Sequence, residues 1–208
     1  MVAIATQIRK GRKFDQVLEG ARQVFLHQGF EGASVDDIAR EAGVSKATLY
    51  SYFPDKRLLF LEVAKAECCR QADEAEANIG CDCTVREALT IAARTLVEFF
   101  NSDFFLRMYR IFVAEAERFP ELGREFYESG PKLGRERMVK YFEEAEAAGG
   151  LSIADKELAA DQFAELCKSD LFTKRVMGIL DTATEAQKAR VVAGAVDMFL
   201  ARYGGRPG

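Results

Sequence analysis

The run Ser45-Lys46-Ala47-Thr48 puts small and polar side chains at the start of a short predicted helix, a chemistry of recognition rather than of reaction. Lys46 and Thr48 carry donors that can reach base edges in a DNA major groove, while Leu49 and Phe53 can turn inward. Ser34 at the head of the preceding helix and Lys56 in the first turn of the following one can each hold a phosphate with the free amides there. Reaction chemistry finds no comparable support. His27 is the one imidazole, with no nucleophile and carboxylate pattern around it, and no glycine loop forms a dinucleotide or P-loop fingerprint, so neither enzyme activity nor a cofactor is expected.

Such a reading helix must be held out from a frame, and the flanking residues supply one. Ser34 can cap a helix in which Ile38, Ala39 and Ala42 recur on one buried face, with Asp37 as its third residue. Gly43 then supplies the left-handed conformation that ends this helix, Val44 plugs the turn, and Ser45 caps the second helix. The pair is a helix-turn-helix. Ahead of it, Phe14, Leu18, Ala21 and Phe25 predict one apolar stripe on a first helix ended by Gly29. Arg9, Lys10, Arg12 and Lys13 form a basic arm, which is either a solvated tail or a phosphate and minor-groove contact.

Gly29-Phe30, Ser34-Val35, Ile38-Ala39, Ala42-Gly43-Val44-Ser45, Leu49-Tyr50, Tyr52-Phe53 and Asp55-Lys56 resemble, in register over about residues 12 to 60, the DNA-binding domain of the TetR family of bacterial repressors. Ala47 departs mildly from the glycine that many members carry there. The resemblance implies that Tyr50 and Tyr52 lie against phosphate or sugar, beside Ser34, Ser45, Lys46, Ala47, Thr48 and Lys56. Read from the residues themselves, the alternative for each tyrosine is partial core packing with a wet hydroxyl.

Charge is distributed to match. The chain of 208 residues has a net charge of −4, but residues 1 to 60 hold nine Lys or Arg against seven Asp or Glu, and residues 61 to 208 hold twenty against twenty-six. The positive end is the one with the helix pair. Two domains are therefore expected: 1–60, the helix-turn-helix with its arm, and 61–208, a helical body. No run approaches a membrane span and no export signal is read, which leads to the expectation of a cytoplasmic protein without membrane attachment. Five cysteines, an odd number, argue against a disulfide framework, and Cys81-Asp82-Cys83 lacks zinc spacing, so no metal is expected.

With prolines at 54, 120, 131 and 207 and no alternating β-branched runs, the class is all-α. A long helix follows Asp55 to about Asn78, and capping boxes open helices at Thr84 and Thr184. Further helices are expected from about Asp103 to Arg118, from Pro120, onward to Ala148, and from near Asp155 to near Leu180. The body is richer in aromatics than one stripe per helix requires, which means a thick core and interface or a cavity. Phe104, Tyr109, Phe112, Phe126, Phe142 and Phe163 are the expected walls for a small, mainly apolar effector. Val113-Ala114-Glu115-Ala116 with Arg118-Phe119-Pro120-Glu121-Leu122 and Phe126-Tyr127 resemble the regulatory domain of the AefR-like branch of the same family, loosely over about residues 105 to 203, which implies a ligand-binding, dimer-forming body.

On the last helix Ala189, Val192, Ala193, Val196, Phe199 and Tyr203 form a seam, and Ala159, Phe163, Leu166 and Cys167 face from the helix before it. These stripes either join two subunits in a four-helix interface, as the family resemblance implies, or face the protomer's own core. The function expected is a dimeric repressor on a near-palindromic double-stranded operator, released by its effector. The alternative is a redox-sensing DNA-binding regulator using Cys68, Cys69, Cys81 or Cys83.

Overall fold

The computed structural model describes residues 11–78 and 83–205, so Arg9 and Lys10 of the basic arm, and Cys81, lie outside the described residues. Eleven helices are found among them and no strand, with an isolated antiparallel bridge between Leu151 and Gly204. The chain divides into two compact units, one ending at Ala66 and the other beginning at Glu67.

The first unit contains α1 (Arg12–Gly32), α2 (Val35–Glu41), α3 (Lys46–Tyr52) and the opening of α4 (Lys56–Asn78). The buried face of α1 is Phe14, Val17, Gly20, Ala21, Val24 and Phe25, so Val17 rather than the half-buried Leu18 completes the expected stripe. Gly20 is there because α2's end arrives against it: a Cβ at Gly20 would lie 2.6 Å from the Ala42 nitrogen. Phe25, Phe30 and Phe60 fill the space between α1 and α4, with centroids 5.0 Å apart for both Phe25–Phe60 and Phe30–Phe60.

The second unit holds the remainder of α4 with α5 (Val85–Asn101), α6 (Asp103–Glu115), α7 (Pro120–Ser129), α8 (Pro131–Ala147), α9 (Lys156–Lys168), α10 (Leu171–Val176) and α11 (Glu185–Tyr203). Both capping boxes form: Thr84 and Thr184 each accept from the N3 amide while Glu87 and Gln187 reach back. The helix expected from Asp155 to Leu180 is instead two. Asp170 adopts φ +66, a left-handed turn that an aspartate tolerates better than most side chains, and its carboxylate ties Lys174 and Arg190. The core centres on Phe199, whose ring lies 5.1 Å from Phe142, 5.0 Å from Phe163 and 4.9 Å from Tyr203, joining α8, α9 and α11.

Candidate DNA-binding and effector sites

The reading helix is built by short-range bonds that its own sequence supplies. Ser34 Oγ accepts from the Asp37 amide at 3.0 Å, Gly43 takes φ +63, and the Val44 amide closes the turn on the Ala39 carbonyl at 3.0 Å. Ser45 Oγ then accepts from the Thr48 amide at 3.1 Å and starts α3. Leu49 and Phe53, each 1% exposed, anchor the helix beneath, while Ser45, Lys46 and Ala47 stand exposed and Thr48 half-exposed. An outward polar start on an inward apolar base is the arrangement that groove entry needs.

Several expected contacts are already committed within the protomer. Lys46 is ion-paired with Asp36, an exposed pair that an incoming phosphate or base can replace at little cost. Thr48 Oγ1 lies 2.9 Å from Ser45 Oγ. The Ser34 hydroxyl donates to Asp37 Oδ2 at 2.6 Å, and this bond, with Arg40 beside it, holds the Asp37 carboxyl below its ordinary value. The α2 start thus faces its own carboxylate. Lys56, expected on a phosphate, donates instead to the carbonyls of Phe30 at 2.8 Å and Ala33 at 3.0 Å, with Nζ 4.4 Å from the Phe30 ring centroid. It staples the end of α1 to α4. The two tyrosines separate: Tyr50 is 49% exposed, whereas the Tyr52 ring packs edge-on to Phe14 at 5.9 Å.

Within the second unit lies a cavity of about 770 Å³, a volume in the range of small-molecule sites. Helices α5, α6 and α7 contribute Phe99, Phe100, Phe105, Tyr109 and Phe126, and α8 and α9 contribute Arg135, Met138, Tyr141, Asp161 and Lys168. Of the expected walls, Tyr109 and Phe126 line it. Phe142 and Phe163 do not, being fully buried around Phe199; Phe112 stacks behind Phe126 at 4.5 Å, and Phe104 is buried outside the lining. Sequence spacing marks an apolar face without saying whether a void or a ring fills the space before it. Phe172 backs the wall, 5.1 Å from Tyr109 and 6.0 Å from Phe105.

The larger side chains of the expected seam on α11 are likewise spent inside the chain: Val192, Val196 and Phe199 are 6%, 1% and 1% exposed, and Leu166 is half-buried. Ala189 and Ala193 of the expected seam are instead exposed, and α11 turns outward with them Gly194, the 64% exposed Met198 and the charged Arg190, Asp197 and Arg202. Beyond α10, Met177 and Ile179 are 69% and 73% exposed.

Two of the thiols, Cys68 and Cys167, are deactivated by burial. Burial pushes the Cys68 thiol up to about 12, with Cys69 and Glu67 adding to the shift, and burial pushes Cys167 up to about 12 as well. Such thiols stay protonated at neutral pH and react slowly. Burial, with Cys83 and Glu144 nearby, also raises Tyr141, which keeps its hydroxyl a neutral donor in the cavity wall. Among the described residues no group of His, Cys, Asp and Glu could hold a metal ion, and no helix is long and apolar enough to cross a membrane.

Residues 17–63 match the N-terminal domain model of bacterial regulatory proteins of the TetR family, and residues 87–205 match the C-terminal domain of AefR-like transcriptional repressors. A curated relative, the HTH-type transcriptional repressor AcnR of Corynebacterium efficiens, is 32% identical over 77 residues, 37% of this chain and 41% of that protein. The match thus spans about two fifths of that relative's length. Among solved structures, a TetR-family regulator from Mesorhizobium loti shares 27% identity and a TM-score of 0.81, with 94% of this chain and 98% of that one covered. The flavonoid-responsive regulator FrrA shares 37% identity and a TM-score of 0.67, over 95% and 100% of the two chains.

Proposed function

The chain belongs to the TetR family of bacterial regulatory proteins, with an AefR-like C-terminal domain, and on that premise we propose that it is a homodimeric repressor released from a near-palindromic operator by a small, mainly apolar effector. DNA is read by the start of α3, with Lys46 and Thr48 on base edges and Tyr50 on the backbone. The exposed face of α11 around Ala193 and Met198 joins the subunits, since the Val192, Val196 and Phe199 face is occupied. One recognition helix reads too few bases for a selective site, which is the reason for two.

The observation that carries the effector reading is the cavity of about 770 Å³ with seven aromatic rings in its wall. A flat aromatic suits those rings, and the name of FrrA points to the same ligand class in a relative. Release is a shift of population: an effector lowers DNA affinity only by as much as it prefers the conformer that fits DNA badly. Cys68, a wall residue of the cavity, lies on α4, whose first residues belong to the DNA-binding unit, so that helix is the natural carrier of the shift. The redox alternative is disfavoured at Cys68 by its raised pKa.

The test is a displacement titration. A labelled duplex recovered by selection from a random pool is bound and then titrated with a flavonoid, and anisotropy falls as the complex dissociates. Retention of the DNA at effector saturation, with calorimetry showing the effector bound, would overturn release as its mode of action.

A further inference from the structure

The polar part of the cavity wall is an ordered network rather than a scatter of charges. Arg135 Nε donates to Asp161 Oδ1 at 2.9 Å, and Arg135 Nη2 donates both to Asp161 Oδ2 at 2.7 Å and to the Tyr127 hydroxyl oxygen at 2.9 Å. All three residues line the cavity, and they come from three helices, α7, α8 and α9. Because Tyr127 receives a hydrogen bond from the guanidinium, its own proton points elsewhere, and no described residue accepts it. Asp161 gives each oxygen one arginine hydrogen and keeps a free lone pair on each. A donor and an acceptor therefore stand side by side, held on the same arginine nitrogen.

From this we infer that the cavity selects an uncharged aromatic bearing a hydroxyl group, with that hydroxyl accepting from Tyr127 and donating to Asp161 while Arg135 positions both. The inference rests on the effector reading above and names the chemistry of its ligand. A carboxylate fits poorly, since it can accept but not donate and would face Asp161. Of the four cations lining the cavity three are ion-paired, Arg135 with Asp161, Arg137 with Asp73 and Lys168 with Glu165, and the fourth, Lys140, is exposed, where water and salt screen its charge. An aliphatic chain would leave the rings of Phe99, Phe105 and Phe126 without a flat partner.

The test uses the full-length protein and calorimetry with biphenyl, 4-hydroxybiphenyl and biphenyl-4-carboxylate. The hydroxyl compound should bind about tenfold more tightly than biphenyl, the gain expected of two net hydrogen bonds of modest strength, and the carboxylate should bind weakest. Tyr127→Phe, at a partly exposed position, should reduce the hydroxyl advantage to about threefold without loss of folding. Asp161→Ala frees the guanidinium, so the preference should invert in favour of the carboxylate, a reversal that a merely structural role would not produce. Asp161→Asn, of nearly equal size, should show the same trend if the alanine variant folds poorly. A wild-type protein that binds biphenyl equally well, or prefers the carboxylate, overturns the hydroxyl anchor and leaves the aromatic cavity standing. Heat from none of the three, and none from a flavonoid, would remove the effector reading itself.

Discussion

Replacing Phe199 by Ala should destabilise the body rather than separate two subunits. The ring is 1% exposed and closed in by Phe142, Phe163 and Tyr203, all with centroids within 5.1 Å, so truncation leaves a void that three rigid rings cannot collapse to fill. Phe→Ala at such sites costs about 3 to 5 kcal/mol, a large share of a total stability of about 5 to 15 kcal/mol. For a chain of this length that corresponds to a melting temperature lower by about 6 to 20 °C. The companion variant is Met198→Glu, one residue away and 64% exposed, which should leave the protomer's core intact while placing like charges near a two-fold axis. Thermal melting over a range of protein concentrations, paired with sedimentation, separates the outcomes, since losing a partner makes melting less concentration-dependent while a core defect lowers it at every concentration. Phe199→Ala with unchanged melting and a monomeric mass would refute the reasoning and return the seam to the interface.

Three further outcomes follow from the same geometry. Lys46→Ala with Thr48→Ala should cost about 1 to 3 kcal/mol per lost base contact and relax sequence preference in competition binding, with the circular dichroism unchanged; full selectivity in the folded double variant would move the reading residues elsewhere. Lys56→Met should destabilise the DNA-binding unit by about 2 kcal/mol through the orphaned Phe30 and Ala33 carbonyls, while leaving the salt dependence of DNA binding unchanged; a slope shallower by about 0.9 would place Lys56 on a phosphate after all. At pH 8, iodoacetamide should label the exposed Cys69 well before Cys68 and Cys167, whose thiols burial shields and holds protonated; rapid labelling of Cys68 at neutral pH would revive the redox alternative.

The helix-turn-helix was legible because its determinants are local. Ser34, Gly43 and Ser45 act on amides and dihedrals within three residues, and the Thr84 and Thr184 boxes close over the same distance. What escaped the sequence is decided by neighbours distant in the chain. The carbonyls that hold Lys56 lie 23 and 26 residues before it. Phe142 and Phe163 share the aromatic character of Phe99 and Phe105, but the Phe199 ring of α11 packs against the former pair and makes it core, while the latter faces a cavity. Periodicity gave Val192, Val196 and Phe199 a common face, but two apolar partners were open to that face, and the protomer's own helices took it. The break after α9 carries no glycine or proline; a left-handed aspartate made it, and two basic side chains hold it.

The central claim, a dimer reading DNA through α3, is tested most directly by incubating the purified protein with a pool of random duplexes and sequencing those it retains. The account predicts enrichment of an inverted repeat whose half-sites are centred about 34 to 36 Å, one helical turn, apart. A retained pool indistinguishable from the input, or one enriched in a single unrepeated half-site, would contradict it.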